Sequence, residues 1–412
     1  MTAMRPDLLV LVAVVHRPLA PPRAHHRLVR IVRIPPDLLR QLGRSGPLES
    51  PWLAVGLGAA LVASVAVAIW LHYRRRRAGV RPRHRGLRRV VFAAWLVLLT
   101  VLGASAAVNA YVGYIPTVPA LFGTLPGDPA GSRFSRVDRL RIGAPTLGIP
   151  AERVYVYVPP GYDAAANAHR RYPVVYLLHG YPGGPVDWFR AAEVQQVMDA
   201  LLRYHLVQPM LLVAPDANGG WLHDSEMLNQ VGGPQVETYL TNSVVAAIDA
   251  RYRTVTDRAG RGVGGVSSGG YGALNLGLRH QDRFSVILAQ MPYGDPGQAA
   301  LGLLGGSQAL WLANAPRYYI PTMTFQHPMA VYLVAGSRDP QLAEARRLAA
   351  MLTHRGQLAV VKAVPGATHS WHGARVELPY SLVFASQHLS VATGGRAHLA
   401  GATAPQWPLG QS

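Results

Sequence analysis

The sequence of 412 residues contains no cysteine and a single lysine, Lys362. The absence of cysteine excludes disulfide bonds, thiolate catalysis and cysteine-ligated metal ions. Acidic residues are also few, 21 against 40 basic ones, so the formal net charge is +19. An excess of this size raises the question of a nucleic-acid partner, and the answer depends on where the charge lies.

The positive charge is concentrated at the N-terminal end. Residues 1–124 contain 17 arginines and three acidic residues, whereas the remainder of the chain is only mildly basic. Nine of these arginines occur in RRRRAGVRPRHRGLRR, residues 74–89, between two apolar segments. A nucleic-acid-binding surface would combine basic residues with interleaved aromatic side chains or a recognition fold, and this segment has neither. We therefore predict no nucleic-acid partner.

Two segments are long and free of charge. Residues 51–73 and 90–114 contain no Asp, Glu, Lys or Arg, and each exceeds the roughly 20 residues that a helix needs to cross a bilayer. Aromatic residues lie near their ends, as is common at membrane interfaces. The alternative is a pair of buried core helices, but these seldom run so far without a charge. We predict two transmembrane helices.

The arginine-rich segment orients these helices. The positive-inside rule places residues 74–89 in the cytoplasm. Two crossings then describe a multi-pass protein of the cell membrane, with residues 115–412 on its extracytoplasmic side. Residues 1–50 would lie on the same side, although they carry eight arginines, and we expect them to be poorly structured. We interpret residues 115–136 as a linker and residues 389–412 as a disordered tail.

Residues 137–388 alternate short apolar runs with helical patterns. Continuous Val/Leu runs bounded by turn residues are typical of strands that are covered on both faces, as in a parallel sheet. The predicted strands cover residues 152–160, 172–180, 210–220, 261–267, 284–292, 329–339 and 358–366, and the predicted helices cover residues 190–205, 236–252, 269–280, 341–355 and 376–388. This alternation predicts an α/β domain with a mostly parallel central sheet flanked by helices.

The stretch GVGGVSSGGYGAL, residues 262–274, contains a candidate nucleophile. Ser267 has Gly265 two positions before it and Gly269 two positions after it, which satisfies G-x-S-x-G, whereas Ser268 lacks the first glycine. A predicted strand ends at Ser267 and a helix follows, which is the setting of a sharp turn that raises a serine hydroxyl above the sheet. The alternative is a glycine turn with a purely structural role.

A nucleophilic serine needs a base and an acid, which in α/β-hydrolases follow it in the order acid, histidine. Asp339 comes just after a predicted strand in LVAGSRDP, and His369 follows the next strand in VPGATHSWHG. We assign the acid to Asp339 and the base to His369. Glu344, inside the next predicted helix, is the alternative acid, and His372, one helical turn after His369, is a candidate for the substrate pocket.

Two backbone amides are candidates for an oxyanion hole. The N–H of Ser268 lies at the start of the helix after the nucleophile. The second donor is expected from the loop after an earlier strand, VVYLLHGYPGGPVDW, in which the N–H of Tyr181 is the candidate. In the same loop we predict that Trp188 forms an apolar wall of the pocket.

The sequence resembles the esterase D-like α/β-hydrolases, which include the feruloyl esterases and the actinobacterial mycolyltransferases. The resemblance covers about residues 137–388 and rests on the order of VVYLLHGYPGG, VAPDANGG, GVSSGGYGALNLGLRH, VYLVAGSRD and GATHSWHG. It implies an α/β-hydrolase fold in which Ser267 is the nucleophile, Asp339 the acid and His369 the base. Such an enzyme requires no metal ion and no organic cofactor.

These observations predict a membrane-anchored, extracytoplasmic serine esterase that hydrolyses a small-molecule or lipid ester through an acyl-enzyme. One alternative is an acyltransferase of the mycolyltransferase type, which would pass the acyl group to a cell-envelope sugar or alcohol. The other is a non-catalytic binding domain on the same fold. The complete set of catalytic residue types favours an enzyme over a binding domain.

Overall fold

A computed structural model describes residues 33–79, 85–122, 134–220 and 222–390. Residues 1–32, residues 391–412, the middle of the arginine-rich segment and half of the predicted linker lie outside this part of the chain. The described residues form a short N-terminal segment, a pair of long helices and an α/β domain.

The N-terminal part is helical. Its helices are α1 (Pro36–Leu42), α2 (Pro51–Arg77), α3 (Arg85–Val112) and α4 (Val118–Leu121). Helices α2 and α3 pack antiparallel, as two contacts show. The Trp95 indole N–H donates to Ser64 Oγ at 3.0 Å, and further along α3 Gly103 lies against Leu57, which is earlier in α2. The start of α2 and the end of α3 therefore lie at the same end of the pair, and the arginine-rich segment lies at the other.

Helices α2 and α3 have the length and the apolar composition that a membrane crossing requires. None of the 27 residues of α2 is buried, so this helix is not the core helix of the α/β domain. Both helices extend beyond the predicted apolar segments into the arginine-rich segment, since α2 ends at Arg77 and α3 begins at Arg85.

The α/β domain is built on one eight-stranded sheet. Its strands are β1 (Arg136–Ala144), β2 (Ile149–Val158), β3 (Val174–Leu178), β4 (Leu211–Pro215), β5 (Arg261–Val266), β6 (Val286–Gln290), β7 (Ala330–Gly336) and β8 (Leu358–Val364). They are ordered β1-β2-β4-β3-β5-β6-β7-β8. Strand β2 pairs antiparallel with β1 and with β4, and the other neighbours are parallel.

In the described part of the chain, ten further helices connect and cover the strands. They are α5 (Asp187–Arg190), α6 (Val194–Arg203), α7 (Val236–Thr238), α8 (Val245–Arg251), α9 (Ser268–Arg279), α10 (Ala300–Leu303), α11 (Gln308–Ala313), α12 (Pro316–Tyr319), α13 (Gln341–His354) and α14 (Trp371–His388). A π-helical segment, Tyr239–Val244, joins α7 to α8.

The two faces of the sheet carry separate apolar cores. Side chains alternate along β3, so that Val174 and Tyr176 enter one core while Val175 and Leu177 enter the other. Helices α8, α9 and α13 cover the first core, and α5, α6 and α14 cover the second. Because both faces are covered, the central strands consist almost entirely of apolar residues and glycine.

The predicted α/β architecture is confirmed, and each predicted strand corresponds to one of β2 to β8. Strand β1 was not predicted. Its sequence, RVDRLRIGA, mixes arginine with apolar residues and is only partly buried, because it lies at the edge of the sheet. An edge strand needs no continuous apolar run, so the pattern used for the central strands does not detect it.

The N-terminal segment differs from the expectation of poor structure for residues 1–50. Helix α1 places Leu38 in the second core, where its side chain is fully buried. Glu49 is also buried, and its carboxylate pairs with Arg375 of α14 at 2.6 Å. Composition alone could not reveal this packing, because the partners of these residues lie more than 300 positions away.

Candidate active site

Ser267 lies on a sharp turn between β5 and α9. Its backbone has φ 57° and ψ −117°, a conformation that residues other than glycine rarely adopt. Two hydrogen bonds hold the turn: the Ser267 N–H donates to the Gln290 carbonyl at 3.0 Å, and the Tyr271 N–H donates to the Ser267 carbonyl at 2.9 Å. The hydroxyl group is thereby presented at the carboxyl end of the sheet.

The glycines on either side of Ser267 are required by close backbone contacts. A Cβ atom on Gly265 would lie 2.0 Å from the Gly269 carbonyl oxygen. A Cβ atom on Gly269 would lie 2.2 Å from the carbonyl oxygen of Leu178, at the end of β3. Any side chain at either position would force the turn away from the neighbouring strand.

Three of the predicted residues form one hydrogen-bonded chain. His369 Nε2 lies 2.9 Å from Ser267 Oγ. On the other side of the ring, Nδ1 lies 3.1 Å from Asp339 Oδ2 and 3.2 Å from Oδ1. The Asp339 side chain is inaccessible to solvent, and it also accepts the N–H of Gln341 at 2.8 Å. This arrangement orients the imidazole with one nitrogen toward the serine.

Parallel strands bring these residues together although Ser267 and His369 are 102 positions apart. Ser267 follows β5, and the loops after β7 and β8 carry Asp339 and His369. Backbone hydrogen bonds join the last two loops, from the Ser337 N–H to the Val364 carbonyl at 2.8 Å and from the Arg338 N–H to the Ala367 carbonyl at 3.1 Å. Asp339 and His369 are thus held on one hydrogen-bonded pair of loops.

The two predicted oxyanion donors lie on either side of Ser267. Ser268 is the first residue of α9, and an amide in the first turn of a helix has no intrahelical acceptor. The loop with Tyr181 approaches from β3: a Cβ atom on Gly180 would lie 3.5 Å from the Ser267 Cβ. The Ser268 hydroxyl itself is buried, and it has no hydrogen-bond partner among the described residues.

Asp187 connects this loop to the segment after α3. Its carboxylate accepts the Gly184 N–H at 2.7 Å and the Tyr114 hydroxyl at 2.5 Å. The side chain is fully buried, and loss of solvation raises the pKa of Asp187 above its usual value. The position of the loop therefore depends on Tyr114, in the segment after α3.

Ser267 and His369 open into a cavity of about 670 Å³. The α/β domain contributes further lining residues, namely Gly180, Tyr181, Pro182, Val266, Met291, Ser370 and Trp371. Helix α3 and the residues after it contribute the others, namely Ala104, Ser105, Val108, Asn109, Val112, Tyr114 and Ile115. Most of these side chains are apolar. Seven of the sixteen lining residues thus belong to α3 and the residues after it, which lie outside the α/β domain.

The apolar wall predicted for Trp188 is formed by another tryptophan. Trp188 is fully buried in the second core and does not line the cavity. Its ring packs edge-to-face behind that of Trp371, with 5.8 Å between the centroids, and Trp371 faces the cavity. The prediction for Trp188 is wrong because α5 turns this side chain toward α14.

His372 also lies outside the cavity, contrary to the prediction. Its Nδ1 accepts a hydrogen bond from Arg375 at 2.9 Å and lies 3.9 Å from Glu49. Burial and the neighbouring guanidinium lower the pKa of His372. As the second residue of α14, it faces the N-terminal segment, whereas His369 lies in the preceding loop and faces Ser267.

The alternative acid, Glu344, is occupied elsewhere. Its carboxylate pairs with Arg317 at 2.8 Å and with Arg347 at 3.4 Å. Glu344 lies in α13, as predicted, and is buried. Among the described residues, Asp339 is the carboxylate that contacts His369, and no group of three or more His, Asp or Glu side chains is arranged to hold a metal ion.

Several cavity residues were not predicted. Trp371 is two positions from His369, in the same GATHSWHG motif. Its place beside the candidate base could have predicted the apolar wall that we assigned to Trp188. Met291 follows β6 and has φ 51°, but nothing in the sequence around it marks it as part of a site. The cavity-lining residues of α3 could not be predicted, because an apolar helix predicts membrane contact and not contact with the candidate nucleophile.

A protein-family model described as "Putative esterase" matches residues 151–390, which is more than half of the chain. The chain belongs to this esterase family. The predicted relationship to esterase D-like α/β-hydrolases is therefore confirmed. The family match begins within β2 and ends after α14, so α1, α2 and α3 precede it.

Individual relatives agree with this membership. Esterase Rv1288 of Mycobacterium tuberculosis H37Rv is 32% identical over 133 residues, which are 32% of this chain and 27% of the relative. An uncharacterised protein of Corynebacterium glutamicum is 27% identical over 176 residues, which are 42% of this chain and 41% of the relative. The chain thus matches less than half of the length of either protein.

Solved structures reproduce the fold. A ferulic acid esterase superposes with a TM-score of 0.56 at 23% identity, over 62% of this chain and 99% of the esterase. At this identity the likeness establishes the α/β-hydrolase fold and not the substrate.

Proposed function

We propose that this protein is a serine esterase that hydrolyses carboxylic esters, with its catalytic domain held at the outer face of the cell membrane by α2 and α3. The observation that carries the proposal is the hydrogen-bonded chain from Ser267 through His369 to Asp339, at the base of a cavity in an esterase-family domain. A binding domain would not need this geometry.

The residues support an acylation step of the following kind. Ser267 Oγ attacks the ester carbonyl carbon while its proton passes to His369 Nε2. Asp339 holds the ring by accepting from Nδ1–H and stabilises the positive charge that develops on it. The negative oxygen of the tetrahedral intermediate accepts hydrogen bonds from the amides of Ser268 and Tyr181. The bond to the alcohol then breaks, and His369 returns the proton to the departing oxygen.

Deacylation uses the same groups in reverse. A water molecule attacks the acyl carbon and gives a proton to His369, and the carboxylic acid leaves as Ser267 regains its proton. No metal ion or organic cofactor enters this cycle. If an alcohol takes the place of water, the same acyl-enzyme makes the protein an acyltransferase.

Membrane anchoring is supported by three features of α2 and α3. Both are long and apolar enough to cross a bilayer. Their exposed surfaces consist largely of Val, Leu, Ile and Trp side chains. The arginine-rich end is the end remote from the catalytic domain, and under the positive-inside rule this supports a domain outside the cytoplasm.

The nucleophile can be tested by covalent labelling of the purified full chain in detergent with a fluorophosphonate. Ser267→Ala is expected to abolish labelling and the hydrolysis of p-nitrophenyl butyrate. Ser268→Ala is the matched control, because its hydroxyl is buried without a partner among the described residues and only its amide is used. Labelling that persists in Ser267→Ala rejects the assignment, and an unlabelled wild-type protein favours a binding domain.

The acyltransferase alternative is decided by the products. Hydrolysis predicts that the free acid accounts for all of the acyl group released, with or without an added sugar or alcohol. Transfer predicts a new ester that increases with the concentration of the acceptor.

A further inference from the structure

The cavity above Ser267 is incomplete without α3. Ala104, Ser105, Val108 and Val112 of this helix line it on one side, opposite Ser267 and His369. The candidate nucleophile and a helix with the properties of a membrane span therefore face the same space. An esterase for water-soluble esters would have no need of such a wall.

The α3 wall suits an apolar ligand. Its side chains are small and apolar apart from Ser105 and Asn109. The Asn109 side chain is already engaged, since its amide nitrogen donates to the Leu48 and Ile115 carbonyls at 2.8 and 2.9 Å and its oxygen accepts the Ile115 N–H at 2.8 Å. The wall therefore offers packing surface rather than polar recognition.

The cavity is also open along the surface of α3. Ala104, Ser105 and Val108 line the cavity and are nevertheless exposed, with Val108 at 62%. A ligand can therefore pass between the cavity and the outer surface of the helix, which is the surface that contacts lipid if α3 crosses the bilayer.

If α3 crosses the bilayer, the opening lies at the depth of lipid ester groups. From Ala104 to Val112 the helix rises about 12 Å, at 1.5 Å per residue, at the domain end of a span of about 30 Å. Trp52 and Tyr111, at the same end of the helix pair, are 77% and 72% exposed, as expected for aromatic side chains at a membrane interface. This end of α3 thus passes through the headgroup region and the outermost part of the acyl chains.

We propose that the substrate is an acyl ester of a bilayer lipid, that its acyl chain lies along α3 between Ala104 and Val112, and that it enters sideways from the leaflet next to the catalytic domain. The inference rests on the proposed function, because the carbonyl carbon of the ester must reach Ser267 Oγ. The volume of about 670 Å³ is within the range of ligand-sized sites, about 300–1,000 Å³.

The test uses the full-length protein in phospholipid nanodiscs, with p-nitrophenyl butyrate and p-nitrophenyl dodecanoate as substrates. Each methylene that leaves water for the bilayer and the cavity is expected to raise the apparent kcat/KM by about four-fold, so the dodecanoate is preferred. Val108→Trp fills the proposed acyl site and should lower the ratio of the two kcat/KM values by about ten-fold or more. Val97→Trp is the matched control: Val97 lies on the same helix, is equally exposed at 62%, and does not line the cavity.

The route of entry has its own readout. If the acyl chain enters from the bilayer, the rate of dodecanoate hydrolysis follows the mole fraction of the ester in the nanodisc and not its bulk concentration. A rate that follows bulk concentration, or a chain-length ratio that Val108→Trp leaves unchanged, overturns the inference. Absence of butyrate hydrolysis by the wild-type protein rejects instead the proposed esterase function on which it rests.

Discussion

Ser267 and Ser268 are adjacent and chemically identical, and the backbone separates their roles. Ser267 adopts a strained conformation, φ 57° and ψ −117°, which costs on the order of 1–3 kcal/mol and persists where surrounding structure enforces it. Here the enforcing contacts are the hydrogen bond to Gln290 and the close approach of Gly265 and Gly269. As a result, the Ser267 hydroxyl faces His369 and the cavity, whereas the Ser268 hydroxyl is buried at the start of α9.

At the same scale, Asp339 is expected to act through the imidazole. Asp339→Asn should lower kcat for p-nitrophenyl butyrate by about 10²–10⁴-fold, because the ring loses the partner that sets its tautomer and stabilises its charge. The fold should survive, since the amide can still accept the Gln341 N–H. Steady-state kinetics together with the melting temperature measure the two effects separately.

Glu344→Gln is the control for that experiment. Like Asp339, Glu344 is a buried carboxylate in the segment after β7. It pairs with Arg317 and Arg347, however, and not with His369. We expect a lower melting temperature and a kcat close to that of the wild type. Equal losses of kcat in the two variants would show that Asp339 has only a structural role.

Among the elements, α14 joins the N-terminal segment to the domain. Its Arg375 is fully buried and pairs with Glu49 at 2.6 and 2.8 Å. The same guanidinium donates to the Ala191 carbonyl at 3.2 Å and lies 3.7 Å from Glu193. Arg375 therefore connects α14, the helix after His369, to the segment before α2 and to the segment between α5 and α6.

Breaking this pair should destabilise the junction. Glu49→Gln removes the anion nearest to the buried guanidinium and leaves Glu193 at 3.7 Å. Loss of one member of a buried pair costs about 3–5 kcal/mol in the free energy of unfolding. Asp37→Asn, an exposed acid in the same segment, should change it little. Denaturant unfolding of both variants measures the difference, and similar midpoints for the two would contradict the role of Glu49.

At the scale of the whole molecule, the helix pair is attached to the α/β domain at one end, where α2 begins and α3 ends. Glu49 precedes α2 and is bound to Arg375, and Tyr114 follows α3 and is bound to Asp187. These two contacts place the N-terminal segment and the α/β domain on the same side of the pair. The arginine-rich segment lies at the opposite end, so a membrane around the helices would separate it from both.

This arrangement predicts the topology, and the absence of cysteine makes the test simple. A single cysteine at the exposed position Ser45, before α2, should react in intact cells with a maleimide that cannot cross the membrane. A single cysteine at the exposed position Gly79, after α2, should react only after the cells are permeabilised. The reverse pattern would invert the orientation, and labelling of both in intact cells would argue against a membrane crossing.

Local patterns were enough to predict much of this molecule. The central strands are continuous apolar runs because both faces of the sheet are covered. The turn at Ser267 has a sequence signature because contacts at about 2 Å from the backbone allow only glycine on either side. The length and lack of charge of α2 and α3 were likewise visible without any knowledge of packing.

Contacts between distant elements could not be predicted. The direction in which α5 points Trp188, the turn that separates His372 from His369, and the burial of Leu38 all depend on α14 and its neighbours. Sequence patterns were sufficient to predict the class of fold, the candidate residues for the chemistry and the two apolar helices. That one of these helices forms a wall of the cavity above Ser267 is visible only in the tertiary contacts, because a helix pattern shows which residues are apolar but not which partner its faces meet.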